Sequence, residues 1–186
     1  MCMTTPAPDS PDLPDAPDPA NTPDPDPLDR ITAQWNEVRP DLDTVPMAIF
    51  GRIYRIARAV GDRMEKEYGR FGISRGEFDV LATLRRAGEP HTLSPRELSS
   101  TLLLTTGGMT GRLDKLERAG LVERSPDPHD RRGLRVTLTE RGLTLLHEAV
   151  GAGLAVQKAA LGAMDDEQAA QLSGLLRQLL SSSEQH

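Results

Sequence analysis

The sequence has little cysteine, few aromatic residues and no long apolar run. The single cysteine of the 186 residues, Cys2, cannot form a disulfide within the chain, and one cysteine excludes a cysteine zinc site or a redox pair. No run of about 18 apolar residues exists, and the acidic, proline-rich N-terminus is unlike a signal peptide. Aromatic residues make up 3% of the chain, so aliphatic side chains must fill the core. These features predict a cytoplasmic protein.

Motifs of catalysis and of metal binding are also missing. The sequence has no Gly-x-Ser-x-Gly, no His-Glu-x-x-His and no phosphate-binding loop. The four histidines are scattered and have no ligand spacing. We therefore expect no enzyme, no metal site and no cofactor.

The first 28 residues differ in composition from the rest. They hold nine of the fifteen prolines and six of the 28 acidic residues, but no lysine or arginine. Proline removes backbone donors and little apolar surface is present, so residues 1–28 are predicted to form a disordered tail. A solubilising role is favoured over binding of a specific partner. The net charge of −6 resides in this tail, and the neutral remainder can still present a basic face.

Two helices are predicted before residue 74. The segment 29–38 is typical of a short helix that ends before Pro40, because a residue that precedes proline avoids helical angles. A longer helix is expected over residues 46–71, with an apolar stripe at helical spacing. The stripe comprises Phe50, Ile53, Tyr54, Ala57, Val60 and Met64.

Two capping boxes mark the next helices. Ser74 with Glu77 indicates a helix that runs to about residue 87. Ser94 with Glu97, and a proline at the first helical position, indicates a short helix that ends near residue 103.

A third helix in this region is expected after a threonine cap, at Thr105 or Thr106. Gly120 fits the left-handed position that closes a helix. The buried stripe of this helix is Met109, Leu113 and Leu116. Two helices joined by a tight turn, the second of them amphipathic, predict a helix-turn-helix.

A β-hairpin with a long tip is expected next. Residues 121–125 and 134–138 are strand-like, and the second segment alternates apolar and polar positions. The connection, residues 126–133, holds two prolines that should stop strand pairing, together with a cluster of basic and histidine side chains. This connection is predicted to be a wing.

The C-terminal region is predicted to be helical. Thr139 caps a long helix to about residue 161, and a last helix begins at residues 165–168. Its apolar stripe is formed by Leu172, Leu175, Leu176, Leu179 and Leu180. We expect this stripe to lie in a dimer interface, the alternative being a core within one subunit.

The outer face of the third helix is predicted to contact DNA. Its glycines, Gly107, Gly108 and Gly111, would each cost about 1 kcal/mol of helix stability relative to alanine, but they let another surface approach the backbone. Threonine hydroxyls bind phosphates, arginine and lysine reach base edges or phosphates, and wing arginines suit the minor groove. The candidates are Thr105, Thr106, Gly108, Thr110, Arg112, Lys115, His129, Arg131 and Arg132.

Residues 104–142 resemble the signature stretch of the MarR family of winged-helix regulators. The segment Asp130-Arg131-Arg132-Gly133 matches that family's wing motif, in which the aspartate orients the wing and the arginine two positions on enters the minor groove. The resemblance extends from about residue 29 to the end. It implies a homodimer that binds a palindromic operator in double-stranded DNA, usually as a repressor, and is released by a small anionic or phenolic ligand.

A finer resemblance is to the urate-responsive branch of this family. There a tryptophan on an extra N-terminal helix, an aspartate and two arginines form the effector site, and Trp35, Asp79, Arg112 and Arg124 match those positions. Two guanidiniums can hold a planar anion while an indole stacks on it. The resemblance implies a site for urate or another organic acid. The alternative is that Trp35 anchors the first helix and Asp79 is an ordinary ion-pair partner.

The predicted fold is mainly α with a small β-hairpin wing, in the α+β class. It is a winged helix-turn-helix over residues 74–138, with N-terminal helices at 29–73 and dimerisation helices at 139–186. A winged-helix module that binds protein instead of DNA is the competing hypothesis, and the basic wing and glycine-rich helix face argue against it.

Overall fold

The computed structural model describes residues 24–128, 130 and 133–184. Of the described residues, those up to Tyr54 form one compact unit, and those from Arg55 onwards form a second. Over the described residues the helices are α1 (Pro27–Val38), α2 (Val45–Gly69), α3 (Arg75–Arg86), α4 (Pro95–Thr101), α5 (Thr106–Arg118), α6 (Glu140–Leu161) and α7 (Asp166–Ser183). The strands are β1 (Thr92–Leu93), β2 (Val122–Pro126) and β3 (Leu134–Leu138). The mainly helical fold with a small sheet is as predicted.

In the first unit, α1 begins earlier than the sequence suggested. The carboxylate of Asp26 accepts hydrogen bonds from the backbone of Leu28 and Asp29, and the guanidinium of Arg52 pairs with both Asp26 and Asp29. The hydrogen bond from Arg52 lowers the pKa of Asp26. Leu28 is buried. The prediction of a disordered tail through residue 28 is therefore wrong for residues 26–28, while residues 1–23 lie outside the described part.

The helix starts of the second unit are confirmed. Ser74 and Ser94 each accept a backbone hydrogen bond in a complete capping box. Thr105 caps α5, Thr139 caps α6, and Asp165 caps α7 with a further capping box. Short polar side chains that accept an otherwise unpaired N–H thus set where these helices begin.

The sheet has one strand more than the predicted hairpin. Its order is β1-β3-β2 with antiparallel neighbours, and β1 pairs Thr92 with Thr137. A two-residue strand has no detectable periodicity, which is why the sequence did not reveal it. Pro126 was expected to stop pairing, yet it is the last residue of β2 and lies opposite Leu134. An edge strand tolerates a residue without an N–H.

The core of the second unit is mostly aliphatic. The stripe predicted for α5 is confirmed, because Met109, Leu113 and Leu116 are all buried. It packs with Leu81, Leu84, Leu98, Leu121, Val122, Val136, Leu138 and Leu146. Tyr68 is buried and its ring stacks on that of Phe78 with centroids 4.2 Å apart.

Part of the predicted apolar surface is not covered within one chain. In the stripe predicted for α2, Met64 is buried but Tyr54 is 71% exposed. On α7, Leu175 and Leu180 are also exposed, at 63% and 60%. These helices therefore leave apolar side chains in solvent.

No helix in the described part of the chain combines the length and the apolar character that crossing a membrane requires.

The turn between α4 and α5 contains a leucine in the left-handed region. The N–H of Leu103 bonds to the carbonyl of Ser100, and the N–H of Leu104 bonds to that of Ser99, which is the Schellman pattern at a helix end. Glycine is the usual residue at the left-handed position, and Gly120 has that role after α5 with φ +68°. Leu103 has φ +51°, a conformation that costs a side chain about 1–2 kcal/mol.

Candidate nucleic-acid interface

The outer face of α5 carries almost no side-chain bulk in its first half. The N-cap hydroxyl of Thr105 accepts a hydrogen bond from the N–H of Gly108 at 3.3 Å. A Cβ added at Gly107 or Gly111 would meet nothing within 4 Å, so packing inside the chain does not require glycine there. Gly111 lies about 140–200° around the helix from the buried stripe. The bare backbone is therefore open to another molecule.

The segment around the start of α5 is also free of negative charge. Between Glu97 and Asp114 the chain has no acidic residue, although it has 28 in total. The same stretch contributes the hydroxyls of Thr105 and Thr110. A segment with hydroxyls and no carboxylates suits contact with phosphate groups.

Arg112 does not extend from this outer face as predicted. Its side chain is half-buried against the first turn of α3, and its Nη1 donates a hydrogen bond to the carbonyl of Gly76 at 3.2 Å. A Cβ at Gly76 would lie 2.6 Å from Cζ of Arg112, so only glycine leaves room for this guanidinium. In this conformation Arg112 links the recognition helix to α3 and does not point at a DNA partner.

Lys115 also turns towards α3. Its Nζ lies 3.7 Å from Oε1 of Glu77, the capping-box residue whose other oxygen accepts the backbone N–H of Ser74. The lysine side chain is 67% exposed. It can therefore swing to a phosphate at little energetic cost, because exposed ion pairs are weak.

Arg124 lies on β2 and is held by carboxylates of α5. Its guanidinium pairs with Asp114 and with Glu117, the latter at 3.3 Å from Nε. Asp114 and Glu117 lie about 140–200° around α5 from Arg112. The structure therefore does not bring Arg112 and Arg124 together, contrary to the predicted effector site. Arg124 instead neutralises two acids beside the candidate DNA face.

The other two residues of the predicted effector site belong to different units. Asp79 lies on α3, one turn after Gly76, and is half-buried. Burial raises the pKa of Tyr68, and the negative charge of Asp79 raises it further. Trp35 belongs to the first unit, where its side chain is 43% exposed.

The wing closes on itself at its base. The N–H of Asp127 bonds to the carbonyl of Gly133 at 3.0 Å, and the N–H of Gly133 bonds to the carbonyl of Asp130 at 2.8 Å. A Cβ at Gly133 would lie 3.0–3.2 Å from atoms of both aspartates, so the turn is tight. The predicted wing contacts His129, Arg131 and Arg132, and the side chain of Thr106, lie outside the described residues.

An open groove of about 800 Å³ lies between the starts of α4 and α5 and the wing. Arg135 lies at the edge of this groove and joins β3 to α4 and β1. This residue was not singled out from the sequence. Its Nη1 lies 3.4 Å from Oε2 of Glu97, and its Nη2 donates to the carbonyl of Thr92. The alternation of β3 could have indicated that Arg135 lies on the opposite face from Leu134. Arg135 thereby fixes the wing strand to the helix-turn-helix.

No metal centre is evident in the described ranges, where no three side chains of histidine, cysteine, aspartate or glutamate lie close enough to hold an ion. What the site does offer is a helix whose first half is glycine-faced and free of acidic residues, beside a wing, which is the geometry of a DNA reader.

Comparisons with known proteins agree with this geometry. Residues 71–133 match the family model described as MarR family. The regulator PecS of Dickeya dadantii (strain 3937) is 35% identical over 146 residues, which cover 78% of this chain and 88% of PecS. The protein MarR of Escherichia coli K12 is 35% identical over 108 residues, which cover 56% of this chain and 73% of MarR.

Solved structures give the same result. A MarR mutant from Escherichia coli complexed with operator DNA superposes with a TM-score of 0.63 at 26% identity, covering 78% of this chain and 97% of that one. AbsC of Streptomyces coelicolor has the same fold, with a TM-score of 0.68 at 20% identity over 78% of this chain and 98% of its own. PecS is named a transcriptional regulator, and the MarR mutant is bound to operator DNA. The chain belongs to the MarR family of DNA-binding, winged helix-turn-helix transcription regulators.

Proposed function

We propose that the protein is a homodimeric repressor that binds a palindromic operator through α5 and the wing, and that a small planar anion releases it. The observation that carries the DNA-binding mode is the outer face of α5, where Gly107 and Gly111 leave open space that no internal packing uses. Glycine at an open helix position costs stability, and close approach of DNA to the backbone explains its presence. The relative YetL of Bacillus subtilis is named a transcriptional repressor, which supports the same role here.

Dimerisation is supported by the apolar side chains that one chain leaves in solvent. Leu175, Leu176 and Leu180 are exposed at 63%, 44% and 60% on one side of α7. A second copy of the chain would bury this leucine stripe by twofold symmetry. A dimer also places two recognition helices on two half-sites one helical turn apart, which is why the operator should be palindromic.

The wing is proposed to insert Arg132 into the minor groove. Replacing Arg132 with alanine is expected to weaken binding to a duplex selected by the wild-type protein from random sequences by about 1–3 kcal/mol. The dependence of affinity on salt concentration should also become shallower, because one fewer counterion is released. Fluorescence anisotropy across a salt series measures both. The melting temperature serves as the control and should stay unchanged, since a wing tip buries little surface.

An unaltered affinity and salt slope in Arg132→Ala would contradict the wing assignment. Failure of the wild-type protein to select any duplex would contradict the DNA-binding mode as a whole.

The effector proposal rests on Arg112 and Asp79. Arg112 lies on the recognition helix, but its guanidinium bonds to α3 at Gly76, one turn before Asp79. An anion that captured this guanidinium would change the link between α5 and α3 and with it the pose of α5 on DNA. Arg124 would join such a site only after leaving Asp114 and Glu117. Urate is the first compound to test, and other planar organic acids follow.

Gly76→Ala tests this coupling, because its Cβ would displace the guanidinium of Arg112. The end of an arginine is flexible, so we expect the fold and the basal affinity for DNA to be nearly unchanged. The urate concentration that releases half of the DNA should rise by about 5-fold or more, since effector coupling typically amounts to 5- to 150-fold. Competition anisotropy with labelled duplex gives this concentration.

Gly151→Ala is the matched control, because a Cβ at this exposed glycine of α6 meets nothing within 4 Å. Release that is equally sensitive in Gly76→Ala and the wild type would contradict a role for Arg112. If neither urate nor salicylate releases DNA from the wild type, the proposal of a planar anionic effector is wrong.

A further inference from the structure

The side chain of Leu103 does not pack within the folded chain. It is 93% exposed, the highest value among the large apolar residues of the described part. The leucines on both sides of it, Leu102 and Leu104, pack against the core. A single exposed leucine would need no explanation on a relaxed backbone.

The backbone at Leu103 is not relaxed. With φ +51° it occupies the left-handed position of the Schellman turn that ends α4, where glycine or asparagine is favoured. Glycine there would make the same two backbone hydrogen bonds, from residues 103 and 104 to Ser100 and Ser99, without strain. The leucine side chain thus destabilises the folded chain and gains no contact in return, which points to a function outside the chain.

The position of Leu103 indicates which molecule its side chain contacts. It lies two residues before Thr105, the N-cap of α5, and therefore within about 7 Å along the chain of the first turn that faces DNA. It also lies in the acid-free stretch between Glu97 and Asp114, whose hydroxyls and missing carboxylates suit a phosphate backbone.

We propose that Leu103 is a DNA-contacting residue, which packs on the apolar surface of the duplex beside the first turn of α5. The apolar surfaces that DNA offers there are the faces of deoxyribose and the methyl group of thymine. Burial of the leucine against either would position the N-terminus of the recognition helix. This inference rests on binding of DNA by α5.

The test is a series of three substitutions, Leu103→Gly, Leu103→Asn and Leu103→Met. The probe is a duplex of about 30 base pairs that the wild-type protein selects from random sequences, long enough for two half-sites. Leu103→Gly and Leu103→Asn should bind it about 5- to 30-fold more weakly, because the apolar contact is lost. Leu103→Met keeps an apolar side chain and should bind within about twofold of the wild type.

Two further readouts separate a DNA contact from a structural role. Leu103→Gly and Leu103→Asn should melt at or above the wild-type temperature, since both residues accept the left-handed conformation. Their salt slopes should equal that of the wild type, because an apolar contact releases no counterions. Replacing thymines of the probe by uracils should erase the advantage of leucine over glycine if the methyl group is the partner, and preserve it if deoxyribose is.

Wild-type affinity in both Leu103→Gly and Leu103→Asn would overturn the proposal, as would a loss of affinity that accompanies a lower melting temperature. Absence of DNA binding by the wild type is a different result, and it would instead refute the function on which this inference rests.

Discussion

Replacing Leu176 and Leu180 with glutamate is expected to yield a monomer that binds a palindromic duplex at least about 100-fold more weakly than the wild type. Both leucines lie on the side of α7 that one chain leaves exposed, so the substitutions remove no core contact within the chain. In a dimer the two carboxylates would be buried without partners, which costs far more than the interface can supply. A monomer holds only one half-site, and the gain from bivalent binding is lost.

The matched control replaces Ala170 and Ser181 with glutamate. Both residues are exposed and lie on the side of α7 opposite the leucine stripe, at least about 80° from Leu175, Leu176 and Leu180, and they introduce two added negative charges in the same helix. Light scattering and anisotropy should give a dimer with nearly wild-type affinity for the control and a monomer for the leucine variant. A leucine variant that stays dimeric would place the interface elsewhere on the chain.

Helix positions were the most predictable part of the fold. Each helix start in the second unit depends on a local N-capping interaction, such as the capping box of Ser94 and Glu97 or the cap of Thr139. These interactions join residues within four positions of each other and are therefore visible in the sequence. The start of α1 was missed because Asp26 and Asp29 form their capping box inside a proline-rich stretch. There the composition indicated disorder, and the stabilising partner, Arg52, is distant in sequence.

The side-chain partners in the site could not be predicted in the same way. Spacing placed Arg112 on the outer face of α5, but a glycine on another helix, Gly76, opens a cradle that draws its guanidinium inwards. Arg124 was assigned to an anion by family resemblance. In the folded chain the guanidinium of Arg124 instead forms ion pairs with Asp114 and Glu117.

The strained turn at Leu103 was likewise invisible in the sequence. A left-handed closing residue is normally recognised by glycine, as at Gly120, and three consecutive leucines give no such signal. Leu102 and Leu104 both pack against the core, and Leu103 lies between them in the turn. The local preference for glycine and the tertiary structure therefore conflict at Leu103.

Replacing Gly111, which faces away from the core on the outer side of α5, with glutamate is expected to cause a large loss of DNA affinity. Glutamate at this position would put both bulk and negative charge where the backbone is proposed to approach the phosphates. Opposed like charges at an interface cost several kcal/mol, so binding to the selected duplex should fall by about 100-fold or more. The fold should be retained, because a Cβ at Gly111 meets nothing within 4 Å and glutamate favours helix more than glycine does.

Binding of DNA by the outer face of α5 is tested by comparing Gly111→Glu with Gly151→Glu in one anisotropy titration. Gly151 is an exposed glycine inside α6 whose Cβ position is equally open, so the two variants have the same net charge and a similar gain in helix propensity. If the outer face of α5 binds DNA, Gly111→Glu loses about 100-fold in affinity and Gly151→Glu stays within about threefold of the wild type. Equal affinities of the two variants would contradict the account.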